Sequence, residues 1–124
     1  MPFDLVIDIE NRAGALAEVA KAISDAGVNI AAATCLGAGD LAELHILVPH
    51  ATAAKHALAI SQLAVTRERE VAVVEVDDRP GVLADLAGKV AAAGVNLDLV
   101  YVATMNRVVF GADDLDGLRQ ALAT

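Results

Sequence analysis

The chain has 124 residues, 56% hydrophobic and 21% charged, a balance that excludes disorder and leaves room for one domain or two very small ones. Its formal charge of -8 repels phosphate backbones, and no basic stripe interleaved with aromatics runs through it, so direct nucleic-acid binding is excluded. A lone cysteine, Cys35, cannot close an internal disulfide, Met1 to Glu10 carries acids where a secretory leader carries a basic start, and every apolar run is broken before the roughly 18 residues of a membrane span, so a soluble cytoplasmic protein is expected.

In chain order, Phe3, Leu5, Ile7 and Ile9 alternate with Asp4, Val6, Asp8 and Glu10, the period-two pattern of a half-buried strand. Leu16, Val19, Ala20 and Ile23 then fall at i, i+3, i+4 and i+7, one apolar helical stripe that stops at Gly27. Asn29 to Leu36 and Leu41 to Val48 read as strands around a Gly37 to Asp40 hairpin turn, Ala51 to Ser61 as a helix, and Leu63 to Glu68 as a last strand.

The second half repeats the first. A shift of 67 positions lays Asn11-Arg12-Ala13-Gly14-Ala15-Leu16 over Asp78-Arg79-Pro80-Gly81-Val82-Leu83, and Ala26-Gly27-Val28-Asn29-Ile30 over Ala93-Gly94-Val95-Asn96-Leu97. Ala72, Val74 and Val76 match the first strand, and Leu83, Leu86, Ala87 and Val90 the helical stripe. Leu97 to Ala103 and Arg107 to Phe110 follow as strands, and Asp113 to Ala123 as the last helix. Each repeat is thus β-α-β-β-α, with domains expected at 1–68 and 69–124. The predicted class is α+β: two ferredoxin-like units packed together, each with two helices on one face of an antiparallel sheet. Val65 to Arg69 runs into Val71 without Pro or Gly, so no flexible linker separates them. Val6, Val71 and Val73 lie on the face away from the helices, which is expected to be partly covered. The second repeat shows no final strand before Thr124, leaving one sheet edge bare, covered by another chain, or completed by exchange between repeats.

At Glu10-Asn11-Arg12-Ala13-Gly14-Ala15-Leu16 and Asp77-Asp78-Arg79-Pro80-Gly81-Val82-Leu83, each followed by Gly-Val-Asn and an aliphatic residue, the sequence resembles the ACT domain family, βαββαβ modules that bind amino acids and regulate metabolic enzymes. The resemblance covers nearly the whole chain. It implies a small-molecule L-amino acid held at the interface between the two repeats, touched by Asn11, Ala13, Gly14, Ala15 and Leu16 with Asn96 from the facing repeat. A mirrored site would use Asp78, Gly81, Val82 and Leu83 with Asn29. Ile9 and Val76 stand where serine-sensing members of the family carry a histidine, so serine is not implied, and Asp78 departs from the usual Asn.

The residues support that reading and also admit plainer ones. Gly14 and Gly81 sit between a strand and a helix, where free backbone N–H groups and the helix dipole attract a carboxylate; the same glycines serve a turn with unusual dihedrals, and the two roles coexist. An uncharged Asn can bond either end of a zwitterion, whereas Asn29 and Asn96 after a helix end also suit turns. Tyr101 either covers a ligand side chain or packs in the core with its hydroxyl in water.

No cofactor, catalytic or metal motif appears. His45, His50 and His56 lack zinc spacing, Cys35 has no nearby partner and is expected to be a buried small apolar residue, and the carboxylates show no acid–base pairing. The expectation is a regulatory sensor without catalysis, a homodimer modulating a metabolic enzyme partner. The alternative is a structural regulatory subunit that binds no ligand. Fold alone decides between neither.

Overall fold

The computed structural model describes residues 2–123. The chain divides into two compact units, Met1–Arg69 and Glu70–Thr124, each of the α+β, ferredoxin-like type. The first contains β1 (Phe3–Glu10), α1 (Ala15–Asp25), β2 (Ala33–Ala38), β3 (Leu41–Val48) and α2 (Ala51–Ile60), and leads into β4 (Arg67–Glu70). Its sheet has the order β2-β3-β1-β4, with β3 antiparallel to both β1 and β2. The register runs from Phe3 opposite Val48 to Glu10 opposite Leu41, so each strand's apolar alternates share one face. Leu5, Ile7, Ile9, Leu44, Ile46 and Val48 pack there against Ala15 and Ile23 of α1 and Ala51, Ala54 and Leu58 of α2.

The second unit contains β5 (Ala72–Glu75), α3 (Val82–Ala92), β6 (Leu99–Ala103), β7 (Arg107–Gly111) and α4 (Leu115–Ala123), with a three-stranded sheet in the order β5-β7-β6. Ala72, Val108, Phe110 and Ala112 meet Leu86, Val90, Leu118 and Ala121 in its core. Both α1 and α3 end in the same closure: Val28 N–H donates to Ile23 O at 3.2 Å, and Val95 N–H to Val90 O at 3.2 Å, the long-range bond that satisfies an orphan helix carbonyl.

Several sequence expectations shift. Strand β2 starts at Ala33 rather than Asn29, and Gly37 and Ala38 pair with Ala42 and Leu41, which shortens the hairpin turn to Gly39 and Asp40. Strand β6 likewise starts at Leu99, and β4 at Arg67 instead of Leu63. Leu16 and Leu83 are not on the buried stripe: they stand 47% and 46% exposed. Because α1 begins at Ala15 and α3 at Val82, the inward line runs through Ala15, Val19 and Ile23 and, 67 residues on, Val82, Leu86 and Val90, with each leucine about 100° round the helix. Cys35 is exposed, not buried, since it lies on the edge strand β2, where all residues but Thr34 are exposed. On the sheet face away from the helices Val6 and Val71 are buried and Val73 half-buried, as the valine pattern predicts. Among the described residues no helix is long and apolar enough to cross a membrane.

Candidate functional site

Between Glu10, the last residue of β1, and Ala15, the first of α1, the four residues Asn11 to Gly14 reverse the chain. Gly14 closes the turn at φ 86 and ψ -15, and Gly81, between β5 and α3, at φ 88 and ψ -7. Only glycine adopts this left-handed conformation without strain. A Cβ on either would meet nothing nearer than an arginine Nη1 at 3.9 Å, from Arg12 and Arg79 respectively, so backbone conformation and not lack of space requires glycine here.

Neither helix start has a side-chain cap. Ala15 N–H donates weakly to Arg12 O at 3.3 Å and Glu18 N–H to Gly14 O at 3.0 Å, while the N–H groups of Leu16 and Ala17 find no acceptor among the described residues. The second loop copies this: Asp85 N–H donates to Gly81 O at 2.9 Å, and the N–H groups of Leu83 and Ala84 stay open among the described residues. Two open amides at the positive end of a helix are suited to a carboxylate.

Each loop carries one arginine bonded to an acid of the following helix's first turn. Arg12 Nη2 donates to Glu18 Oε2 at 2.7 Å and its Nε to Glu10 Oε2, and Arg79 Nη2 donates to Asp85 Oδ2 at 3.0 Å. The bond to Glu18, then that to Glu10, raises the pKa of the Arg12 guanidinium, a fixed cation held over the loop. Beside it lies a concavity of about 360 Å³, lined by the aliphatic Ile7, Ile9, Val19 and Leu63 and by the charged Asp8, Glu10, Arg12 and Glu18. A cation, three carboxylates and an aliphatic floor therefore share this concavity, which Ala15 also lines, next in the chain to the open amides of Leu16 and Ala17.

The structure gathers Asn11, Ala13, Gly14, Ala15 and Leu16 in the first loop, and Asp78, Gly81, Val82 and Leu83 in the second. Ala15 is buried; Leu16 and Leu83 are half exposed. Asn11 is tied to its own hairpin: its Nδ2 donates to Gly39 O and its backbone N–H to Asp40 O, both at 2.9 Å, and a Cβ on Gly37 would fall 2.7 Å from its Oδ1. The side chain thus pins the turn, leaving Oδ1 as an acceptor. Asp78 is exposed and makes no such bond. Asn29 and Asn96 are exposed beyond the far ends of α1 and α3, roughly 16 Å along the helix axis from the loop of their own repeat. Tyr101, on β6, is buried.

Sequence reasoning missed a second cluster, on the sheet face away from the helices. His45 Nδ1 lies 2.8 Å from Asp4 Oδ2, and its Nε2 lies 2.7 Å from Glu43 Oε1, which also accepts from Arg67. A neutral imidazole carries one N–H; two carboxylate partners require the imidazolium. The hydrogen bond to Asp4, against the opposing effect of burial, raises the His45 pKa, and the bond from His45 lowers that of Glu43. Asp4 is fully buried. The available signal was an acid in a strand's apolar run, Asp4, that a facing strand could answer.

A family model described as ACT domain matches residues 3–64 and 71–123. The chain is similar in structure to protein BT0572 from Bacteroides thetaiotaomicron (TM-score 0.84, 27% identity, 98% of this chain and 85% of that one). It is also similar to the ligand-free regulatory subunit of aspartate kinase from Thermus thermophilus (TM-score 0.62, 20% identity, 97% and 90%). The corresponding subunit from Thermus flavus gives a TM-score of 0.62 at 17% identity, over 98% and 90%. No curated protein matches the chain.

Proposed function

Because the chain belongs to the ACT domain family, we propose that it is a regulatory protein binding a small L-amino acid at the β1–α1 loop, with the β5–α3 loop as a second, weaker site. The observation that carries this reading is the pair of open helix-start amides after Gly14, next in the chain to a concavity that Arg12 and Ala15 line. The open N–H groups of Leu16 and Ala17 with Arg12 suit a carboxylate, Glu10 and Glu18 suit an ammonium, and the aliphatic floor of the 360 Å³ concavity suits a short apolar side chain. Leu16, exposed at the helix start, would close over the ligand. The partner is a metabolic enzyme whose activity follows occupancy; a regulatory subunit of aspartate kinase shares the fold. No reaction is assigned to the chain itself.

A thermal-shift screen against the common L-amino acids tests this. One or a few should raise the melting temperature, by about 2.7 kcal/mol of stability at a hundredfold excess over Kd, and Arg12→Ala should abolish the shift. If none moves the transition at millimolar concentration, the ligand-free structural subunit becomes the better reading. The bond from Asn11 to Gly39 O favours that second reading, because it gives the loop asparagine a purely structural task.

A further inference from the structure

The first residue of the β1–α1 loop is built into the β2–β3 hairpin. The Asn11 backbone N–H donates to Asp40 O and its side-chain Nδ2 to Gly39 O, both at 2.9 Å. A third contact is steric. Gly37 has no left-handed φ, yet a Cβ there would fall 2.7 Å from Asn11 Oδ1 and 2.9 Å from its Cγ, so glycine is needed for the room the amide takes. Asn11, Gly37, Gly39 and Asp40 do not line the 360 Å³ concavity, whereas Glu10 and Arg12, the chain neighbours of Asn11, do. Asn11 thus holds the hairpin while the residues on either side of it serve the concavity.

The second repeat keeps the loop and lacks this lock. Leu36 opposite Glu43 in the first unit corresponds to Ala103 opposite Arg107 in the second, and the tip between them shrinks from residues 37–42 to residues 104–106. The shorter hairpin meets the end of its first strand at Val76, whose N–H donates to Asn106 O at 2.7 Å, and stops short of Asp78. The Asp78 side chain, at the place of Asn11, makes no hydrogen bond or ion pair among the described residues. The left-handed glycine, the open amides and the arginine bonded to the first helical turn are nonetheless common to both loops. The loop therefore forms without the lock, and in the first repeat the lock requires a longer hairpin and a glycine inside strand β2, a residue that weakens strands.

We propose that Asn11 is a positioning residue that couples the β1–α1 loop to the β2–β3 hairpin, so that an amino acid bound at the first loop restrains strand β2, whereas occupancy of the second loop stays local. This rests on the reading of the first loop as an amino-acid site. The coupling is reciprocal: a hairpin held in place keeps the loop in its binding geometry, and a filled loop steadies the hairpin. Strand β2 is an edge of its sheet, so a restraint that reaches it reaches backbone open to another strand. The first loop is then the regulatory one and the second a binding loop only.

The test is NMR of the full chain titrated in turn with the common L-amino acids. It follows the amides of Leu16 and Ala17 at the first loop, of Gly39 and Asp40 at its hairpin, and of Met105 and Asn106 at the other hairpin, with hydrogen exchange measured at saturation. In the parent, Gly39 and Asp40 should shift with the same midpoint as Leu16 and Ala17 and exchange more slowly when saturated, while Met105 and Asn106 stay unchanged. Asn11→Ala should weaken binding at Leu16 and Ala17 about fivefold, the weight of one hydrogen bond. At saturation the same variant should show no hairpin response, whereas a merely structural loss would leave that response intact once the loop is filled. Gly37→Ala, whose methyl displaces the Asn11 amide, should behave alike, and the double variant should bind no worse than either single one, because both changes break one contact. Both positions are exposed, so the variants should fold. A response at Leu16 and Ala17 with none at Gly39 and Asp40 in the parent, a hairpin response that survives in Asn11→Ala, or additive losses in the double variant would each overturn the coupling and leave the amino-acid site standing. No response at Leu16 and Ala17 to any amino acid would overturn both.

Discussion

The sharpest consequence of the structure concerns His45, which bridges Asp4 and Glu43 as a cation. In His45→Ala the Asp4 carboxylate, with a side chain 1% exposed, loses this partner. Breaking a buried pair by removing one member costs about 3–5 kcal/mol. The lower end, about 3 kcal/mol, applies here, because Asp4 has a further interaction to fall back on. The same geometry fixes a pH dependence. The folded pKa of His45 is raised above 6.5, chiefly by Asp4, so below 6.5 folded and unfolded states both hold the proton and the contribution is complete. As pH rises through the folded value the native state must release a proton that the unfolded state has already lost, and stability falls. Glu43 acts oppositely: its pKa is lowered from 4.5, so its contribution is present above that value and lost as pH falls through the folded value. Urea unfolding between about pH 5.5 and pH 9 should therefore show stability declining on the alkaline side in the parent and nearly flat there in His45→Ala. Asp4→Asn combined with His45→Ala should recover at least about 1.5 kcal/mol of the single-variant losses, the signature of a coupled pair. A His45→Ala protein within about 0.5 kcal/mol of the parent at pH 6, or one that keeps the parent's alkaline slope, would refute the bridging-imidazolium account.

Two further outcomes are expected. The edge strand β2, exposed and without charge or proline, and the edge strand β5 both present unpaired backbone, so light scattering at micromolar concentration should give the mass of a homodimer; a monomer with and without ligand would count against it. Asp78→Asn should tighten the second loop site by about fivefold in calorimetry, since a carboxylate at about 4 Å from the ligand's own costs about 1 kcal/mol where water screens it; weaker binding would show that Asp78 faces the ammonium instead.

The repeat makes most of the fold legible in the sequence. The β1 alternation, the Gly14 and Gly81 turns and the helix stops at Gly27 and Gly94 are local features, set by period and dihedral preference. Boundaries failed where pairing across strands decides: Gly37 read as a turn residue because it is glycine, yet it pairs with Ala42, and its missing side chain makes room for the Asn11 amide. Leu16 and Leu83 were misplaced because two adjacent apolar residues at a helix start fit the stripe in either phase, and the position of Gly14 selects Ala15. Cys35 was misjudged because composition cannot say which strand is an edge. The arginine clamps were hidden in plain view, since Arg12 with Glu18 and Arg79 with Asp85 keep the same spacing, but that pattern acquires meaning only when the loop folds back on the first helical turn.

Within one chain, the two repeats are a controlled comparison of the same fold. They share the left-handed glycine, the open amides, the arginine clamp and the exposed leucine, all of which gather at the β–α loop. They differ on the opposite sheet face. Register places Val71 and Val109, both fully buried, where the first unit carries Asp4 and His45. A buried ion pair is commonly no more stabilising than well-packed aliphatics of similar volume. The second repeat demonstrates that the fold accommodates the aliphatic solution, so stability alone does not account for Asp4 and His45 in the first. What the charged solution adds is position: it holds Glu43 in place, through His45 and Arg67, beside an unanswered Asp8. The shared features therefore gather at the loop proposed as the zwitterion site, and the charged face of the first unit marks where this chain departs from its own duplicate.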